Sequence, residues 1–104
     1  MHARIAKYTF TGDVHDIARR AEEGILPIFE AQPGFKAYTV VSTGEKIISF
    51  SSWDSAENAE AANAAAAQWV NENLAGEIEL KDAQICEVLF STVLGVSTMA
   101  GART

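Results

Sequence analysis

Apolar and polar residues alternate along residues 3–10, ARIAKYTF, which predicts a strand. Thr11, Gly12 and Asp13 break it. Asp13 is a suitable N-cap, and Asp16 adds negative charge to the first turn of the helix that follows. Apolar residues then recur at Val14, Ile17, Ala18, Ala21, Ile25, Ile28 and Phe29, a helical spacing. Gly24 and Pro27 conflict with a straight helix, because proline lacks an N–H and crowds the preceding turn. The expectation is a kink or break near residues 23–26, with a second short helical piece ending before Pro33 and Gly34.

Residues 35–42 are rich in aromatic and β-branched side chains and read as a strand. Residues 43–45 form a short turn, with Gly44 available for positive φ, and residues 46–53 complete a hairpin. Asp54 with Glu57 matches a capping box that opens the second helix. That helix runs to about Leu74 and stops at Gly76. Residues 77–82, EIELKD, read as an acidic linker, and residues 83–93, AQICEVLFSTV, as the last strand. This makes residues 1–93 the folded domain. Residues 94–104 become a C-terminal tail, or an arm lying on a partner subunit.

The element order is β-α-β-β-α-β, the ferredoxin-like split βαβ arrangement of the α+β class. It places two helices on one face of a four-stranded antiparallel sheet. In the third strand Ile47 and Trp53 point to one side while Ile48 and Phe50 point to the other, so neither face is uniformly polar. A sheet covered on both faces lacks clean alternation. The simplest second cover is another copy of the same sheet, which predicts a homodimer through the sheet face.

The length of 104 residues fits one domain. The chain carries 14 acids and 8 bases, a formal net charge of −6, and has no basic patch. That disfavours nucleic acid as a partner, since phosphate contacts supply most of such affinity. No apolar run approaches the roughly 18 residues of a membrane span, and the N-terminus lacks a signal-peptide core. The reading is a soluble cytoplasmic protein. Cys86 is the only cysteine, which excludes an intramolecular disulfide and a cysteine-rich zinc site; alternating with apolar neighbours, it reads as a small core residue. His2 and His15 have no ligand-spaced partner, so no metal is expected. Lys7 and Glu87 fall on strands expected to be adjacent, where a cross-strand ion pair or a general-base role is open.

Residues 50–74 stand out. An alanine-rich helix lies close to a sheet, and this one carries an amide, Asn63, and an indole, Trp69, near its more apolar side. Six positions apart, they are about 120° around the helix, so both can border one wide cleft without stacking in a row. Tryptophan also packs in cores and interfaces, and a buried asparagine also bonds to backbone; both uses stay open. Tyr8 and Tyr38, on the first and second strands, are placed to orient a ligand or donate a proton, or to pack with the hydroxyl at the rim.

The QPGF turn (Gln32 to Phe35), the sheet-to-helix step FSSWDSAENAEAAN and the helix end AAQWVNENL, taken with the strand order, resemble the antibiotic-biosynthesis-monooxygenase superfamily of dimeric α+β barrels. The resemblance spans residues 3–93. It implies a pocket between helices and sheet, and Asn63 and Trp69 resemble the asparagine and tryptophan on the corresponding helix of oxygenases in that superfamily. Its implied activity is cofactor-independent monooxygenation of a small aromatic phenol or quinol, with Asn63, Trp69, Tyr8 and Tyr38 as the site and no cofactor. The alternative is a non-catalytic dimeric module that binds a small apolar or aromatic ligand. Haem-degrading relatives use a histidine on or just after the second helix. This chain has none beyond His15, which disfavours that chemistry and leaves an oxygenase without an obvious general base.

Overall fold

The computed structural model describes residues 1–98. Its elements are β1 (His2–Phe10), α1 (Val14–Ala31), β2 (Phe35–Ser42), β3 (Lys46–Trp53), α2 (Ala56–Asn73) and β4 (Ile78–Glu87). They form one antiparallel sheet in the order β2-β3-β1-β4, the ferredoxin-like α+β architecture expected from the pattern.

The side-chain period of two sorts each strand by face. Arg4, Ala6 and Tyr8 of β1, and Ile47, Ser49, Ser51 and Trp53 of β3, are buried beneath the helices. Register aligns them in cross-strand rows. Tyr38, Ser51, Arg4 and Ile85 form one; Val40, Ser49, Ala6 and Ala83 form the next; Ser42, Ile47, Tyr8 and Leu80 form the third. The middle row carries the smallest side chains, and that decides where space remains in the core.

Two packed clusters fill the helix-facing layer. One centres on Phe29 and Trp53, in edge contact at 5.2 Å, and on Ala59, Ala62 and Ala66 of α2. These three alanines are fully buried, and their i, i+3, i+7 spacing is the face on which α2 settles. The other joins Ala6, Tyr8, Ile17, Ile47 and Leu74. Trp69 and Val70 pack against both.

Three boundaries differ from the pattern reading. First, α1 is continuous through Gly24 and Pro27. Gly24 is there because Trp69 lies on it: a Cβ at that position would collide with the indole. Packing of an amphipathic face thus outweighs the weak local signals. Second, Ser55 rather than Asp54 caps α2, its hydroxyl accepting from the Asn58 N–H at 3.1 Å, while Asp54 pairs with Lys36 at 3.2 Å. Third, β4 spans Ile78–Glu87, so residues 78–82 of the expected linker are strand, while residues 88–93 of the expected last strand lie beyond its end. A charged sequence suits β4 because it is an edge strand, and charge deters further pairing there.

Lys7 and Glu87 lie on adjacent strands but not opposite each other; Lys7 faces Asp82 and Glu87 faces His2. Cys86 is half-buried and faces Ala3. After β4, Ser91 and Val96 form a small bridge that projects Leu89, Phe90 and Val93 into solvent. The remainder of the expected tail, residues 99–104, lies outside the described residues. No helix among them is long and apolar enough to cross a membrane.

Candidate functional site

The row of Ala6 and Ser49 leaves the sheet low between the large side chains on either side. Above it α1 presents Ala18 and Ala21, which are also small. A cavity remains between them. Ile17, Ile25, Ile47, Val70 and Leu74 make its walls apolar, while Arg4, Tyr8, Tyr38 and Ser49 supply polar atoms from the sheet. The centre of a water molecule has about 30 Å³ in which to move, room for about two waters. An aromatic ligand therefore requires side chains or α1 to move outward.

Arg4 dominates the polar part. Only 1% of it is exposed. Its Nε donates to Asn63 Oδ1 at 2.7 Å and its Nη2 to the Tyr8 hydroxyl at 3.0 Å. Both acceptors are neutral. The ion pairs that arginines and lysines form among the described residues use Arg19, Arg20, Lys36 and Lys81; none includes Arg4. A guanidinium stays charged in any protein setting, and a buried charge is ordinarily paired. Here the pair is missing among the described residues, and Nη1 has no acceptor in the hydrogen bonds they form.

Tyr38 faces the same space. Burial raises the pKa of its hydroxyl; the neighbouring Ser49 and the Arg4 charge oppose that rise, and Tyr8 adds to it. Tyr38 is thus a neutral donor at physiological pH. Ser49 is the neighbour whose hydroxyl interacts with the Tyr38 hydroxyl, and its Oγ is buried. Tyr8, already accepting from Arg4, keeps its own proton for another acceptor.

The structure brings three of the four sequence-expected residues together and separates the fourth. Tyr8 and Tyr38 line the cavity. Asn63 stands behind Arg4 and fixes it. Trp69 wedges between the helices over Gly24 and lines an outer groove with Arg20, Glu23 and Asn73; it does not line the cavity that holds the tyrosines. Arg4 and Ser49 were missed. The available signal was an arginine in the inward-facing set Arg4, Ala6, Tyr8, where an apolar residue belongs. Among the described residues, no group of three or more His, Cys, Asp or Glu is arranged to hold a metal.

Sheet order and helix placement define a ferredoxin-like α+β domain with a pocket between its helices and sheet. Solved structures of that fold superpose closely. SnoaB from Streptomyces nogalater, a cofactor-independent oxygenase, matches with a TM-score of 0.69 and 12% identity over 88% of this chain and 95% of its own. ActVA-Orf6 from Streptomyces coelicolor, a monooxygenase solved with Nanaomycin D, matches at 0.65 and 15% identity, over 86% and 88%. MupZ from Pseudomonas fluorescens matches at 0.66 and 8% identity over 81% of this chain, which spans only 65% of the length of MupZ. No family model matches the sequence, and no curated protein does.

Proposed function

We propose that this protein is a cofactor-independent monooxygenase of a small aromatic phenol or quinol. The observation that carries the reading is the buried Arg4 guanidinium, without a carboxylate among the described residues, in an otherwise apolar cavity. Electron transfer to O₂ needs an electron-rich phenolate or enolate. A fixed positive charge in a low-dielectric site stabilises that anion far more than water-screened charge would. The substrate anion gives one electron to O₂, and the resulting carbon radical and superoxide combine as a peroxide. Loss of water then leaves a carbonyl: R₂CH₂ + O₂ gives R₂C=O + H₂O. Tyr38, held protonated, is the donor for the departing oxygen, and Tyr8 and Asn63 hold Arg4 in place. The apolar walls exclude water from the reacting carbon.

The likeness to SnoaB and ActVA-Orf6 supports this reading. Its test is oxygen uptake by the purified protein over hydroxynaphthalenes, anthrones and quinols, with no metal or flavin added. Saturable uptake with isotope from O₂ in the new carbonyl is expected; silence from folded protein across the panel overturns it.

One observation favours a second reading, a non-catalytic binding module. The cavity lining has no carboxylate or imidazole among the described residues to accept the substrate proton. That module shows ligand-dependent thermal stabilisation and no turnover.

We also infer a homodimer through the open sheet face. That face carries Ile5, Ile48, Phe50 and Val41, and the segment after β4 adds exposed Leu89, Phe90 and Val93. Exposed apolar side chains such as Phe50 and Val41 on that face fit an interaction surface.

A further inference from the structure

We propose that the ligand of this site carries a basic amine beyond its aromatic ring, and that the groove between α1 and β2 is the subsite that receives it, with Glu22 as the counter-ion. The proposal rests on the reading of the inner cavity as the place of the ring and adds the ligand's second part. The inner cavity is small for an aromatic molecule. Directly outside it, Ala18, Glu22 and Leu26 of α1 meet Tyr38 and Val40 of β2 around a groove in which a water centre has about 280 Å³. The three α1 residues are spaced four apart, on one side of the helix. Ala18, Tyr38 and Val40 line both spaces, so these side chains part the cavity from the groove. Ala18 is only a methyl, and β2 is an edge strand whose Val40 is 37% exposed. A ring that enters past them keeps its far end in the groove.

Two observations give the groove its chemistry. The first is Glu22, the charged member of its lining among the described residues. On the same helix Arg19 and Arg20 engage Asp16 and Glu23, whereas Glu22 has no ion pair or hydrogen bond among the described residues. The second is the Tyr38 ring in the same lining. An aromatic ring attracts an organic cation through its quadrupole, and a carboxylate beside it supplies the opposite charge. Leu26 and Val40 are apolar and suit the carbon stem that carries an amine. An anionic substituent at this place is repelled by Glu22.

The test uses a naphthol bearing an aminomethyl group on the ring remote from its hydroxyl, and the hydroxymethyl counterpart, which has the same shape and no charge. Equilibrium dialysis under nitrogen gives both affinities without turnover. At neutral pH the wild-type protein is expected to bind the amine about three- to fivefold tighter than the alcohol, the share of an exposed ion pair. Glu22→Gln is expected to remove that preference and Glu22→Lys to reverse it. Glu22 is exposed, so both variants keep the wild-type circular dichroism spectrum. The protein carries a net charge of −6 and attracts cations in general; Glu60→Gln, which removes the same charge from the exposed side of α2, controls for this and is expected to keep the preference. Equal affinity for amine and alcohol in the wild-type protein, absence of binding by both, a preference that survives Glu22→Gln, or one that Glu60→Gln removes equally overturns the proposal. A preference that depends on Glu22, without oxygen uptake on any phenol, leaves it standing and removes the monooxygenase reading; uptake with no preference does the reverse.

Discussion

Asn63 Oδ1 accepts the Nε–H of Arg4 at 2.7 Å across 59 residues of sequence, tying the first strand to the middle of the second helix. The two residues form one unit. The amide orients the guanidinium, and the guanidinium explains why an amide sits on an alanine helix. Asn63→Ala leaves a buried charged donor without its acceptor, an expected loss of about 1–3 kcal/mol in chemical denaturation. Asn63→Asp supplies the missing carboxylate. It is expected to stabilise the fold relative to Asn63→Ala while abolishing oxygen uptake, because Arg4 is then neutralised before substrate arrives. A fully active Asn63→Asp protein contradicts the role given to Arg4.

Gly24 and Trp69 are matched in the same sense. Alanine in a helix interior is worth about 1 kcal/mol over glycine, yet Gly24→Ala is expected to lose about 1–3 kcal/mol by overpacking against the indole. In a Trp69→Ala background the same change should become neutral or stabilising. A double-mutant cycle by urea denaturation measures this directly; additive effects would deny the contact.

Tyr38 predicts a pH dependence on the alkaline side. Its folded pKa lies above the ordinary 10.0 because of burial. The unfolded chain therefore ionises first, and stability is complete below about pH 10 and falls as pH rises through the folded value. Tyr38→Phe should show a flatter alkaline limb in thermal melts.

Glu77 predicts the opposite limb. The Arg20 side chain holds its carboxyl below the ordinary 4.5, and Arg19 does the same for Asp16. Depressed values in the folded state give stability that is present above the unfolded pKa and lost as pH falls below it. Glu77→Gln should therefore weaken the loss of stability between about pH 4.5 and lower values, with the difference shrinking at high salt because the pair is exposed.

Phe50→Lys tests the dimer. The side chain points away from both helices and is 39% exposed, so the substitution is expected to leave the circular dichroism spectrum intact. Sedimentation should report a dimer for the wild-type protein and a monomer for the variant. A monomeric wild-type protein overturns that reading.

Much of the architecture was legible because it follows from periodicity. Alternation in ARIAKYTF, the Gly44 turn that opens KIISFSSW, and the apolar repeat from Val14 to Phe29 need only local geometry to be read. The misread elements are those where a distant contact overrules a local signal. Gly24 reads as a breaker until Trp69 is laid across it. EIELKD reads as a linker until β1 pairs with it. Asp54 reads as a cap until Lys36 takes its carboxylate.

The site divides in the same way. Residue type singled out Asn63, Tyr8 and Tyr38, since an amide on an alanine helix and phenols on strands are conspicuous in sequence. What only the tertiary structure decided is that Arg4 lies among them with no ion pair among the described residues, that Ser49 sits beside Tyr38, and that Trp69 wedges over Gly24. Burial and pairing are relations between residues far apart in the chain. The sequence determines which face of a strand a side chain occupies; the packing of α1 and α2 against the sheet determines whether that side chain meets water, a partner, or the empty space over Ala6 and Ser49.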